Sequence, residues 1–269
     1  MIIAQMSDPH ISVRGSEFDN LYHTADRLDA ALAHVNALSV RPDLIMMTGD
    51  LVDAGSAEEY QNLKASIDKS DIPVYLGIGN HDCRDTIRTV FTDADYMPKE
   101  GFLQYVVETP HINAIMLDTN IPQYPGGILC RERLDWLDAT LSANPDKPTL
   151  IFMHHPPFDT GIRAMDQMSL QDRDSFGAVI EKHSNITRIF CGHLHRPIQA
   201  AFHGTCAQVC PSTSHQILLH LEESERLATV AEPPAYLLHM LNSDKRDVVT
   251  HMEYVKDYPM IWELEGDLY

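Results

Sequence analysis

The sequence predicts an α/β protein, a four-layer α-β-β-α sandwich of two mixed sheets. Three observations carry that prediction. Short, wholly apolar runs alternate with segments of helical spacing as far as Cys191. After His195 such runs follow one another with little helix between them, as strands completing sheets would. The side chains best suited to chemistry fall just after strands, where open α/β sheets gather their ligands.

Six runs read as buried strands: "IIAQMS" (2–7), "LIMMTG" (44–49), "VYLGIG" (74–79), "INAIMLD" (112–118), "TLIFMH" (149–154) and "TRIFCG" (187–192). Between them, Asn20–Ser39, Ala57–Lys69, Arg131–Leu141 and Arg173–His183 carry helical spacing. In the first of these, Leu21, Ala25, Leu28, Leu32 and Val35 form a stripe three and four residues apart. Later strands are expected at "IQAAFHGT", "AQVCPST", "AYLLHML" and "VVTHMEYV". Two loop-like stretches, 120–130 and 157–172, are expected to flank the mouth of any site. Residues 1–202 are read as the main domain. Residues 203–269 are read as strands completing the second sheet and a small C-terminal cap or oligomerisation tail, with Met260, Ile261 and Trp262 packing on the domain or on a second subunit.

The chain has 269 residues, 44% of them hydrophobic, enough to bury a sizeable core. No apolar run reaches the ~18 residues of a membrane span, so no membrane partner is expected. The N-terminus has neither a basic region nor a cleavage site of secretory type. Five cysteines (Cys83, Cys130, Cys191, Cys206 and Cys210), an odd number with no CxxC pair, suit reduced thiols in a cytoplasmic protein. A formal net charge of −19 without a Lys/Arg cluster argues against long nucleic acid as a partner. Fifteen histidines against 20 Lys and Arg hint at metal ligation.

Five short motifs stand at strand ends. "SDPH" offers Asp8 and His10, whose Cα atoms would lie about 6.5–7 Å apart in an extended chain and whose side chains could converge on one ion. "TGDLVD" offers Asp50 and Asp53, "GNHD" offers Asn80, His81 and Asp82, "MHHPP" offers His154 and His155, and "GHLH" offers His193 and His195. Singly, each has a plain structural reading as a turn, a helix cap or a surface histidine. Jointly, and in this order, they point to a metal site.

The set resembles the calcineurin-like metallophosphoesterase superfamily, whose pattern is DxH, GD, GNHD, a strand-end His and GHxH. The blocks here span Asp8 to His195, and the contexts "RPDLIMMTGD" and "IFMHHPP" look most like its class III cyclic-nucleotide phosphodiesterases and glycerophosphodiesterases. The resemblance implies a dinuclear metal site at the C-terminal ends of the strands. Asp8, His10, Asp50 and His195 would hold one divalent ion and Asp50, Asn80, His154 and His193 the other, with Asp50 bridging. Mixed nitrogen and oxygen ligands suit Fe, Mn, Co or Zn. His81 is implied to stay off the metals as the catalytic residue and, with Asn80, to bind substrate. Asp82 is either an orienting residue or the N-cap of a helix; Asp53 and His155 are read as structural, Asp118 as a turn residue, and His215 as a candidate for the substrate mouth.

The expected function is hydrolysis of small phosphodiesters, either 3′,5′-cyclic nucleotides or glycerophosphodiesters, by attack of a metal-bound hydroxide. Two divalent ions, two aspartates and one hydroxide leave a site of about +1, which suits a diester monoanion. Arg14, Arg163 and Arg196 are the cations that could fold over the site for a dianion. The alternatives are a broad-specificity phosphomonoesterase or nuclease of the same superfamily, and a non-catalytic scaffold with this fold.

Overall fold

The apolar runs form strands and the amphipathic segments form helices in the computed structural model, which describes residues 1–242 and 247–262. The first half runs β1 (Ile2–Met6), α1 (Glu17–Tyr22), α2 (Thr24–Ala37), β2 (Leu44–Thr48), α3 (Ala57–Ile67), β3 (Val74–Gly77), α4 (Arg84–Val90), β4 (Tyr105–Glu108) and β5 (Asn113–Met116). Next come β6 (Gly127–Ile128), α5 (Arg131–Ala143), β7 (Thr149–Phe152), α6 (Arg163–Asp166), β8 (Leu170–Gln171), α7 (Arg173–Ile180) and β9 (Ile186–Cys191). The last are β10 (Ile198–Phe202), β11 (Thr205–Val209), β12 (Gln216–Ile217), β13 (Thr229–Val230), β14 (Ala235–Asn242) and β15 (Asp247–Tyr254).

Both main sheets are mixed. The first has the order β15-β14-β1-β2-β3 and the second β10-β11-β9-β7-β5-β4. Strands β1, β2 and β3 are parallel, as are β5, β7, β9 and β11, while β14, β15, β10 and β4 run antiparallel to their neighbours. The strands after residue 203 therefore enter both sheets, β11 the second and β14 and β15 the first. Three apolar clusters separate four layers. Leu28, Leu32 and Leu63 of α2 and α3 meet Met6, Ile45 and Met47 of the first sheet. Ile3, Met46, Met116, Phe152 and Phe190 fill the space between the sheets. Leu137 and Phe176 of α5 and α7 cover Ile151 and Ile189 of the second.

Register carries the strand ends into one place. Pairing of Met6 with Met47 continues beyond both strands: the Asp8 and His10 amides donate to the carbonyls of Gly49 and Asp50 at 3.1 and 3.0 Å. In the second sheet the Gly192 amide donates to the His154 carbonyl at 2.9 Å. All five motifs thus end on one rim of the sandwich.

The expectation that residues 203–269 complete the second sheet is corrected by β14 and β15, which extend the first; four further features depart from the sequence reading. The helix expected over 20–39 is two helices, broken at His23 (φ 50°), whose amide donates to the Asp19 carbonyl at 2.7 Å and closes α1. Leu21, on the early side of that break, lies off the buried stripe and is 65% exposed. Strand β4, at a sheet edge, has an apolar run of only three residues, Tyr105–Val107, with Val106 half-buried and Glu108 exposed, too short to mark it in the sequence. Met260, Ile261 and Trp262 are exposed and do not pack on the domain; the rest of the expected apolar tail, 263–269, lies outside the described residues.

Candidate metal centre

Three glycines of the motifs let the chain crowd together at the rim. Gly49 has φ +91°, and a Cβ there would lie 2.5 Å from His154 Nδ1; one on Gly79 would lie 2.5 Å from the Asp50 amide nitrogen, and one on Gly192 2.7 Å from the Thr48 carbonyl oxygen. Asp8, His10, Asp50, His193 and His195 are themselves in the left-handed region, with φ between 45° and 73°. Held conformations of this kind cost of order 1–3 kcal/mol each and gather where a site demands a particular aim of the side chain.

Two groups of donor atoms result. In the first, His10 Nε2 and His195 Nε2 are 3.2 Å apart, His195 Nε2 is 3.4 Å from Asp8 Oδ1, and His10 Nε2 is 3.6 Å from Asp50 Oδ2. In the second, His154 Nε2 lies 3.3 Å from Asp50 Oδ2, 3.1 Å from Asn80 Oδ1 and 3.2 Å from His193 Nδ1. Asp50 belongs to both. All seven residues except Asn80 are buried.

Backbone carbonyls fix the imidazole tautomers. His195 Nδ1 donates to the His215 carbonyl at 2.7 Å, and His154 Nδ1 donates to the Thr48 carbonyl at 2.8 Å. Each Nε2 then presents a lone pair to other lone pairs and carboxylates at hydrogen-bonding distance. That arrangement repels itself unless a cation lies between. Burial opposes protonation of His154, yet Asp50 and Asp8 raise its pKa. Burial likewise opposes ionisation of Asp50, but His154, His81 and His10 hold its carboxyl well below the usual range. Burial and His154 push His193 down to about 3, leaving it a neutral donor. The donor set of nitrogen and oxygen atoms fits divalent ions of the Fe, Mn, Co or Zn kind.

His81 stands apart, its side chain 39% exposed at the rim. Its amide donates to Asp50 Oδ1 at 2.9 Å and its Nδ1 to the Asp53 carbonyl at 2.6 Å, which turns Nε2 outward. The Asp53 turn is held in turn by the capping box of α3. There Glu59 Oε2 accepts from the amides of Ala54 and Ser56 at 3.1 and 3.0 Å, and Ser56 Oγ accepts from the Glu59 amide. Asp82 does not cap α4, whose N-cap is Cys83. Its buried carboxyl accepts from the amides of Gly79 and Leu51 and from the Tyr60 hydroxyl, tying the "GNHD" turn to the "TGD" turn. Burial and the Asp50 charge push it up to about 7. Both ring nitrogens of His155 are spent on Thr119 Oγ1 and the Pro125 carbonyl.

Over the donors lies a pocket of about 250 Å³, walled by Phe18, Met165, Met168, His215, Ile217 and Leu227. A second cleft of about 680 Å³ adjoins it across Asn80 and His81 and is bordered by Asn120–Pro125. The stretches 120–130 and 157–172 thus both reach the mouth, as does His215. Phe18, Ile217 and Leu227, from distant segments, had no motif to mark them. Among the described residues no Lys or Arg lines the smaller pocket. Arg14, Arg163 and Arg196 face Asp26, Glu223 and Glu232 instead, at 2.7, 3.1 and 2.8 Å.

Comparison with known proteins agrees with this geometry. The family model for calcineurin-like phosphoesterases matches residues 1–197. A probable glycerophosphodiester phosphodiesterase of Arcobacter nitrofigilis is 34% identical over 256 residues, 95% of this chain and 93% of that one. A probable cyclic nucleotide phosphodiesterase of Rhodopseudomonas palustris is 33% identical over 262 residues, again 95% and 93% of the two chains. Among solved structures, a dimetal phosphatase from Danio rerio shares the fold with a TM-score of 0.70 at 13% identity, covering 96% of this chain and 97% of that one. That family is known for a dinuclear metal site, and the strand-end clusters supply candidate ligands for one. On its sequence and on its fold, the chain belongs to the calcineurin-like phosphoesterase family.

Proposed function

We propose that this protein is a two-metal phosphodiesterase that hydrolyses small phosphodiesters, of the cyclic-nucleotide or glycerophosphodiester kind named for its relatives. The observation that carries the reading is the convergence of seven donor side chains, from both sheets, on two adjoining points that share Asp50. Asp8, His10, Asp50 and His195 would hold one ion; Asp50, Asn80, His154 and His193 the other. Bound there, the ions would supply Lewis acidity toward phosphate oxygens and lower the pKa of water.

The chain's own residues do the rest. The carbonyls of Thr48 and His215 hold His154 and His195 in the tautomer that ligates. His81 is anchored through Nδ1–H on the Asp53 carbonyl; burial opposes its protonated form, but Asp50 and Asp53 favour it. As the imidazolium it offers Nε2–H to a phosphate oxygen or to the departing alkoxide, as a charge stabiliser or general acid. Asn80 stands beside it as both ligand and substrate contact. Phe18, Met165, Met168 and Leu227 exclude water from one side of the reacting phosphate. With no cation among the described residues lining that pocket, a monoanionic diester meets the charge of the site without excess. A cytoplasmic setting and self-association through the exposed Met260–Trp262 end complete the reading; five free thiols and that apolar end support them.

The test is hydrolysis of a chromogenic diester by protein stripped with a chelator and then reconstituted with Mn, Co, Fe or Zn. Activity should vanish on stripping and return with metal. Undiminished hydrolysis by the stripped protein rules the proposal out.

A further inference from the structure

The segment Asp118–Asn120, just beyond the end of β5, belongs to none of the five motifs, yet all three of its residues are buried. Asp118 receives a two-pronged bond from Arg84, Nε to Oδ2 at 2.7 Å and Nη2 to Oδ1 at 2.6 Å. Arg84 opens α4, directly after the "GNHD" turn, and its Nη2 also donates to the Asn120 carbonyl at 2.7 Å. Asn120 reaches back: its Nδ2 donates to the Gly79 carbonyl at 2.6 Å and approaches the Asp82 carbonyl at 3.4 Å. Buried Arg133 braces the far side, donating to the carbonyls of Asp118 and Asn120 while its guanidinium lies 4.3 Å from the Phe102 ring centroid. Between Asp118 and Asn120, Thr119 Oγ1 bonds His155, the neighbour of His154.

The connectivity matters because Asn80 and His81 follow β3, the edge strand of the first sheet, whereas His154 and His193 follow strands of the second. The turn 79–82 has Asp82 to tie it to its own sheet. Only a contact across the two sheets can set its distance from His154. We propose that Arg84, Asp118 and Asn120 form a positioning clamp that holds the Asn80–His81 turn against the second sheet. It fixes Asn80 as ligand to the second ion and His81 at the leaving group. The charge-assisted, bidentate pair supplies direction as well as strength, which a lysine at 84 could not reproduce. This inference rests on the two-metal reading given above.

The experiment uses full-length Asn120→Asp, which is isosteric but sets an acceptor against the Gly79 carbonyl, together with Arg84→Ala and Arg84→Lys. Ion binding to stripped protein is followed by titration calorimetry with Mn, and kcat and KM with a series of aryl and alkyl diesters. The second ion should weaken about tenfold in Asn120→Asp and Arg84→Ala while the first binds as in wild type, a pattern expected of outer partners of a ligand. Values of kcat should fall at least tenfold for alkyl diesters and less for aryl ones, with KM little changed, and Arg84→Lys should recover part of the loss. Phe176→Leu, a core substitution on the buried face of α7, should lower stability without changing either ion. If Asn120→Asp does not fold, the two Arg84 variants carry the same comparison. Equal weakening of both ions, or wild-type ion binding and wild-type leaving-group dependence, overturns the clamp. Should the wild type cleave no diester, the two-metal phosphodiesterase reading fails on its own, and the ion affinities still decide the clamp.

Discussion

His10 and His195 bring their Nε2 atoms within 3.2 Å of each other in a buried pocket, although they come from opposite sheets. Donation from His195 Nδ1 to the His215 carbonyl leaves a lone pair on its Nε2. His10 Nδ1 lies 3.5 Å from Asp53 Oδ1, which favours the hydrogen on that nitrogen and a second lone pair facing the first. Two lone pairs at that distance, with Asp8 and Asp50 alongside, require a positive charge. His195→Gln should therefore lose the ion shared with Asp8 and His10 and keep the other. Asp50→Ala should lose both, and Asn80→Ala should chiefly weaken the second. Metal content after dialysis and calorimetric titration check this. Loss of both ions in His195→Gln would mean that the two points are one site.

His81 makes a separable prediction because none of its contacts requires a metal. Its amide binds Asp50 and its Nδ1 binds the Asp53 carbonyl. His81→Ala should keep both ions and lower kcat by roughly 10²–10⁴, the usual scale of general acid–base help. The loss should shrink as the leaving group improves, since a stable alkoxide needs little protonation. A uniform loss across the series would assign His81 to charge stabilisation alone; loss of metal would remove it from either role.

These two predictions separate what local sequence encodes from what the fold adds. Each motif lies within one strand-end turn, so residue type and spacing marked Asp8, His10, Asp50, Asn80, His81, His154, His193 and His195 without any long-range information. The left-handed backbone at five of them left no trace in composition beyond Asp and His tolerating that region better than most residues. The carbonyls of Thr48 and His215, which set the tautomers, could not be read at all, since any residue carries a carbonyl. Asp118 looked like a turn residue because its partner, Arg84, is far away in sequence. Strand β4 was missed because its apolar run, Tyr105–Val107, is only three residues long. The break at His23 was missed because the apolar stripe runs on across it, the chain shifting its face instead of losing the pattern.

Between the sheets, His239 gives a prediction about stability. It stacks on Phe190, with ring centroids 3.7 Å apart, and is fully buried. Gln5 donates through its amide nitrogen to Thr48 Oγ1 and the Cys191 carbonyl, so its Oε1 accepts from His239 Nε2 at 3.2 Å. Nδ1 then accepts from the Thr250 hydroxyl at 3.0 Å, and the neutral ring is satisfied at both nitrogens. Burial and the Arg188 charge push its pKa down to about 3. The unfolded chain, with a pKa near 6.5, binds the extra proton below that pH, so stability is full above about 6.5 and declines as the pH falls toward 3. The decline is about 1.4 kcal/mol per pH unit, hence about 2 kcal/mol from pH 7 to pH 5. His239→Gln should be less stable at pH 7 but should lose about 2 kcal/mol less over that interval. Urea unfolding of both metal-free proteins at the two pH values measures it, and parallel losses would refute the buried neutral state.

The charge of the site makes the last prediction, on substrate class. Two divalent ions held there, against Asp8, Asp50 and one hydroxide, would leave about +1. A phosphomonoester dianion would want a further cation, and the arginines that could supply one are already engaged: Arg14 with Asp26, Arg163 with Glu223, Arg196 with Glu232. Arg84, which borders the larger cleft, is spent on Asp118. The wall made by Phe18, Met165, Met168 and Leu227 offers nothing to a second negative charge. The protein's net charge of −19 adds repulsion that grows with the charge of the ligand. A bis-aryl or cyclic diester should therefore exceed the matching monoester in kcat/KM by at least about tenfold, or about 1.4 kcal/mol of transition-state stabilisation. DNA and RNA should be poor substrates even at low salt, because no basic track holds a backbone. Met168→Lys, which sets a cation in the pocket wall, should narrow the ratio by raising monoester turnover. The comparison needs one preparation, one metal and the three substrate classes assayed together. A monoester cleaved as fast as the diester by the wild type would overturn the diester assignment, and Arg14, Arg163 or Arg196 would then be the place to look for the missing positive charge.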